Sequence, residues 1–152
     1  MKVALLVAGI AACGPAVAFG AGAQSAPARP AFDTSYTLKA ISSTLEFDPP
    51  VIAAKHGLRV RVRFTNTGTL PHNFVIVKNE NDIDDLAAAA AKQGGDFVPA
   101  AQKAKLLAYS ALAQPGQTVE VTFVMPPPGD YTYVCLMTGH NNTMIGKLRS
   151  LR

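Results

Sequence analysis

Cys135, His140 and Met144 fall within ten residues, with four residues between the first two and three between the second pair. Each of these side chains can bind a soft metal ion. His72, in the run Leu70-Pro71-His72-Asn73, adds a second imidazole from far upstream. Two imidazoles, a thiolate and a thioether match a trigonal His2Cys arrangement with a weak axial sulfur. Such a set suits a copper ion that moves between Cu(I) and Cu(II), soft enough for sulfur and borderline enough for imidazole. The chemistry it supports is one-electron transfer.

The same residues admit other readings. Zinc also favours Cys and His, but a thioether is a poor ligand for it, and no carboxylate general base sits near the loop. A cysteine nucleophile needs a base, an orienting group and substrate access, and the sequence does not supply that full set. Taken alone, Met144 reads as a core residue at a strand start and Cys135 as a buried inert thiol. The spacing of both from His140 favours ligation. His56, beside Gly57, reads as an exposed turn residue, and Met125 as core.

The elements that must position these groups follow from periodicity. Tyr131, Tyr133 and Cys135 alternate with Thr132 and Val134, which delivers the thiol at the end of a strand. Residues 145–151 read as the next strand, so three candidate ligands occupy one short loop. Pro71 fixes φ and stiffens the backbone carrying His72, and residues 74–77 form an apolar run behind it. Further extended segments are expected at 36–41, at 45–47 before the Asp48-Pro49-Pro50 break, at 51–54, at 58–64 and at 117–125. In 58–64 apolar side chains alternate with Arg59, Arg61 and Arg63, one face inward and one wet. The arginines read as the solvated side of a sheet in preference to a docking stripe for an acidic partner. Asn81, Asp82, Ile83, Asp84, Asp85 and Leu86 open a helix that stops at Gly94-Gly95 and lies on the flank of the fold. Residues 100–105 favour helix while Leu107, Tyr109 and Ala111 alternate.

Four stretches together, P-G-Q-T-V-E-V-T-F from Pro115, G-D-Y-T-Y-V-C from Gly129, the Cys-x4-His-x3-Met loop and the distant L-P-H-N, resemble the cupredoxins of the azurin/plastocyanin family. The resemblance covers residues 36–151 and is weakest over 79–114. The loop spacing is similar to that of azurins; Pro-His-Asn is plastocyanin-like, azurins usually carrying Gly-His-Asn. The resemblance implies an all-β, Greek-key β-sandwich with a small helical insertion, and a strand at 106–112. It implies one type 1 copper per chain, held by His72, Cys135, His140 and Met144. The activity implied is single-electron shuttling by a monomer, not enzymatic catalysis, with partners such as a cytochrome or a copper reductase or oxidase. Asn73 would tie the two ligand-bearing segments together, and the backbone N–H groups of Asn73 and Met137 would hydrogen-bond the thiolate. The electron would leave by the edge of His140, inside an apolar rim of Leu70, Pro71, Leu136, Met137 and Gly139. A copper delivery or buffering protein is the alternative, but such sites are usually methionine-rich and exposed.

Length and composition frame these expectations. A chain of 152 residues fits one domain with a real core, and 16% charged against 49% apolar residues argues against disorder. The apolar excess lies at the start. Lys2 followed by an uncharged stretch ending Ala21-Gly22-Ala23 reads as a signal peptide over 1–23, then a flexible segment over 24–34 and the cupredoxin domain over 35–152. An uncleaved anchor is disfavoured by Gly9, Gly14, Pro15, Gly20 and Gly22, while Ile10-Ala11-Ala12-Cys13 leaves lipidation as a third reading. Cleavage would leave Cys135 as the lone cysteine in an oxidising periplasm, a liability unless a metal occupies it. No membrane insertion is expected thereafter. The net charge of +4 is too small, and too little interleaved with aromatics, to argue for nucleic acid.

Overall fold

Alternation along the chain resolves into two facing sheets. The computed structural model describes residues 31–41 and 44–152; the expected signal peptide and most of the segment after it lie outside the described residues. In chain order the strands are β1 (Thr34–Ile41), β2 (Glu46–Asp48), β3 (Val51–Lys55), β4 (Arg59–Asn66), β5 (Val75–Val77), β6 (Leu106–Tyr109), β7 (Thr118–Val124), β8 (Gly129–Val134) and β9 (Ile145–Leu151), with helix α1 (Ile83–Gln93) between β5 and β6. One sheet has the order β2-β1-β4-β7 and the other β3-β9-β8-β5-β6. Pairing is parallel between β1 and β4 and between β3 and β9, and antiparallel elsewhere. This is the all-β sandwich the motifs imply.

The core between the sheets contains Leu38, Phe64, Phe74 and Tyr133, none of them exposed to solvent. Phe47 meets the Tyr133 ring edge-on at 5.1 Å and Phe74 lies 5.2 Å from it. The outward arginines of β4 are largely engaged: Arg63 and Arg61 lie 3.0 and 3.8 Å from Glu120 on β7, and Arg61 also covers the Phe32 ring at 3.9 Å. They form the wet face of a sheet, as expected.

A second core lies under α1. Ile83, Leu86 and Ala90 recur at one-turn spacing and bury against Val75 and Val77 of β5 and Val134 and Leu136 of the β8 segment. Burying a side chain such as Leu86 contributes about 2 kcal/mol. The helix therefore covers the outer face of the five-stranded sheet over β5 and the end of β8, which is why Thr132, Tyr133 and Val134 are all buried, while β9 and β3 keep alternate residues exposed. A 3-10 turn, Glu80–Asp82, precedes the helix, and the capping side chain is Asn79, which accepts from the Asn81 N–H. The end is set by Gly94 at φ 66°, a conformation glycine adopts freely.

The expected strand at 106–112 is shorter in the structure. β6 ends at Tyr109 because the Ser110 hydroxyl takes the Phe74 N–H at 3.0 Å in place of a backbone carbonyl. Residues 100–105 form the 3-10 helix Ala100–Lys105.

Candidate metal centre

The approach to His72 is fixed by buried amides. The Asn66 side chain donates to the carbonyls of Leu70 and Ala113, each at 2.8 Å, and accepts from the Gly68 N–H. His72 and Ala113 exchange backbone hydrogen bonds of 3.0 and 2.8 Å. Asn66 thus closes the turn that presents Pro71-His72 and staples it to the segment after β6. Nothing in the sequence announces this role: Asn66 stands at the end of an alternating strand, where a polar side chain gives no sign of burial.

Cys135 follows the last residue of β8, as the alternation requires. The loop behind it folds as a tight turn: the N–H groups of Thr143 and Met144 both donate to the His140 carbonyl, and Cys135 N–H donates to the Met144 carbonyl at 3.1 Å. These bonds hold residues 135, 140 and 144 together through backbone alone. Asn73 ties the remote segment in, its Oδ1 accepting the Leu136 N–H at 2.8 Å.

Three donor atoms converge. Cys135 Sγ lies 3.8 Å from His72 Nδ1 and 3.6 Å from His140 Nδ1, and the ligand atoms of all three residues lie within 4.8 Å of one another. Among the described residues this is the one such group of His, Cys, Asp and Glu side chains. Met144, with none of its surface exposed, packs in the same core cluster as Cys135. His72 is 1% and His140 7% exposed, so His140 is the imidazole nearer to solvent.

Burial sets the protonation states. His72 is lowered to about 4 by desolvation, with His140 alongside adding to the effect, and burial lowers His140 as well. Both imidazoles are neutral at pH 7, the form that metal ligation would require. The Cys135 thiol is pushed up to about 11 by burial, against the opposing pull of the Asn73 and Met137 backbone N–H groups. Those two groups are the ones the resemblance names. A buried thiol so protonated is a poor nucleophile, which counts against the hydrolase reading. As a metal site, two imidazoles and one cysteine sulfur without a carboxylate, backed by a buried methionine, fit copper better than zinc.

The apolar rim needs one correction. Leu70 is 50% exposed, Met137 half-buried and Gly139 exposed, but Leu136 is fully buried and points into the core under α1. The helix covers the face to which alternation sends this side chain. His56 is exposed, with Nδ1 2.8 Å from the Pro126 carbonyl, and Met125 is core.

A two-sheet sandwich carrying a buried Cys-His-His cluster at one end defines a cupredoxin. Residues 34–149 match the family described as copper binding proteins, plastocyanin/azurin family, and the chain belongs to that family. Auracyanin-A of Chloroflexus aurantiacus is 37% identical over 108 residues, spanning 68% of this chain and 66% of its own length. A Synechococcus plastocyanin is 36% identical over 122 residues, 78% of this chain and 75% of its own. Auracyanin-B of Chloroflexus aurantiacus matches at 32% identity over 68% of this chain but only 46% of its own length. Among solved structures, auracyanin A, described as a "blue" copper protein, superposes with a TM-score of 0.73 at 33% identity, covering 77% of this chain and 98% of the other. The family binds copper, and its members of the auracyanin and plastocyanin kind are electron carriers, not enzymes.

Proposed function

We propose that this chain is a single-electron carrier with one type 1 copper, which His72, Cys135, His140 and the thioether of Met144 would hold. The observation that carries the reading is the buried thiol with two neutral imidazoles at 3.6 and 3.8 Å. When bound, the copper supplies the one-electron redox couple. The chain's own residues supply rigidity. The Asn66 staple, the 135–144 turn and the Asn73 tie support one geometry for both oxidation states, so that little reorganisation accompanies each transfer. The backbone N–H groups on Cys135 withdraw electron density from the thiolate and tune the potential.

The proposal extends to place and partners. After removal of residues 1–23 the domain works in the periplasm as a monomer, exchanging electrons with redox proteins such as a cytochrome or a copper reductase or oxidase. No helix among the described residues is long and apolar enough to cross a membrane. The half-exposed apolar side chains beside His140 suit weak, small-area docking.

Mature protein given Cu(II) should turn intensely blue, and Cys135→Ser should abolish the colour; a colourless parent would sink the assignment. Repeated reduction and reoxidation with a cytochrome separates a carrier from a delivery protein. The carrier keeps its copper through many turns, and steady loss of copper would favour delivery.

A further inference from the structure

We infer that the helical insertion is a positioning strut for the metal centre, its two ends holding Asn73 and Asn141, the residues that follow His72 and His140. The electronic part of this inference rests on the copper reading above.

The stronger hold is on Asn73. Its side chain is fully buried; Oδ1 takes the Leu136 N–H, while Nδ2 donates to the carbonyls of Asp96 and Phe97 at 3.0 and 3.2 Å. Those carbonyls belong to the loop that ends α1. With the Asn73 amide anchored on both sides, its orientation is fixed, and with it the backbone N–H that Asn73 directs at Cys135 sulfur. An amide able to rotate would loosen both contacts.

The loop is itself braced. Gln93, the last residue of α1, donates to Asp96 Oδ1 at 3.2 Å and to the Val98 carbonyl at 2.9 Å, and accepts from the Ala100 N–H at 2.7 Å. Phe97 sits at φ 54° just after Gly94 and Gly95 at 66° and 65°. A bulky residue is rarely found there, and such a conformation persists only where its surroundings enforce it. Here the Phe97 ring packs against the core under α1 while its carbonyl meets Asn73.

At the other end Asn141 Nδ2 lies 3.3 Å from Asp84 Oδ1 in the first turn of the helix. This contact is longer and more exposed, and is the weaker of the two. Between them, Leu86 and Ala90 fasten the helix to the sheet. One element therefore touches the segments carrying both imidazoles.

Gln93→Ala tests the brace without altering a ligand, Asn73 or the core. Hydrogen exchange at the Leu136 amide, read on apo-protein, should accelerate about tenfold, the scale expected when a local opening is eased. In the copper-loaded protein the sulfur-to-copper absorption and the reduction potential should both shift. Lys92→Ala, an exposed neighbour, should behave as the parent. Parental exchange and absorption in Gln93→Ala, or equal changes in Lys92→Ala, would overturn the inference. Should Gln93→Ala fail to fold, Phe97→Gly loosens the same loop while relieving its left-handed residue, and the same two readouts decide. Because the exchange measurement needs no metal, a chain that took up no copper would sink the metal assignment while still testing the strut.

Discussion

His72 carries the largest cost of burial among the imidazoles. Unfolded, it takes a proton near 6.5; folded, only near 4. Between those values the unfolded chain binds more protons, so apo-protein stability must fall as pH drops from 6.5 towards 4. In denaturant titrations of apo-protein, the parent should lose more stability between neutral pH and pH 5 than His72→Gln does, and equal losses would show that His72 is not the group responsible. Cys135, pushed up to about 11, would bind a metal only as the thiolate and so lose its proton to solvent; copper loading should therefore liberate protons, measurable in weakly buffered solution. Met144→Leu preserves volume in a fully buried position and should cost less than about 1.5 kcal/mol. If Met144 is the axial ligand, that variant stays coloured but with a changed potential; an unchanged potential would remove Met144 from the ligand set.

Close approach between strands constrains Gly146. It pairs with Tyr133 across β8 and β9, and a Cβ there would fall 2.1 Å from the Tyr133 ring. The ring cannot step aside, since its hydroxyl donates to the Pro49 carbonyl at 2.8 Å and Phe47 and Phe74 pack on it. Gly146→Ala should therefore destabilise by about 3 kcal/mol in urea unfolding, and a loss under about 1 kcal/mol would mean that the ring has room to move. Strands of this kind were legible because their side chains alternate, and the ligand turn because Cys135, His140 and Met144 are close in sequence. Less legible was whatever depends on a distant neighbour. Nothing near Ser110 announces that its hydroxyl will replace a backbone acceptor and end β6. Leu136 looked like rim because the helix that covers it lies some fifty residues upstream. Gln93 and Phe97 gave no sign of their bearing on Asn73, since helix-end chemistry looks the same whether or not a ligand segment sits beyond it.

Both sheets converge on one end of the molecule, where β4 hands over to His72 and β8 to Cys135, and electron exchange should depend on that end alone. The arginine face of β4 is partly neutralised by Glu120 and lies on the outside of the opposite sheet from β8. Leu70→Glu, placed beside the metal end, should slow electron self-exchange between Cu(I) and Cu(II) protein about tenfold, since two approaching copies would then present like charges. Arg63→Ala should leave that rate within about twofold, as expected for a charge outside the contact. Line broadening in mixtures of the two oxidation states measures both. A slower exchange in Arg63→Ala than in Leu70→Glu would move the docking surface to the arginine face.

β9 occupies an interior position, with β3 on one side and β8 on the other. A growing polypeptide that has emerged only as far as Val134 therefore has a gap in its larger sheet, and the thiol still lacks the turn that brings His140 to it. The order of synthesis thus delays completion of the larger sheet, and assembly of the donor cluster, until β9 has been made.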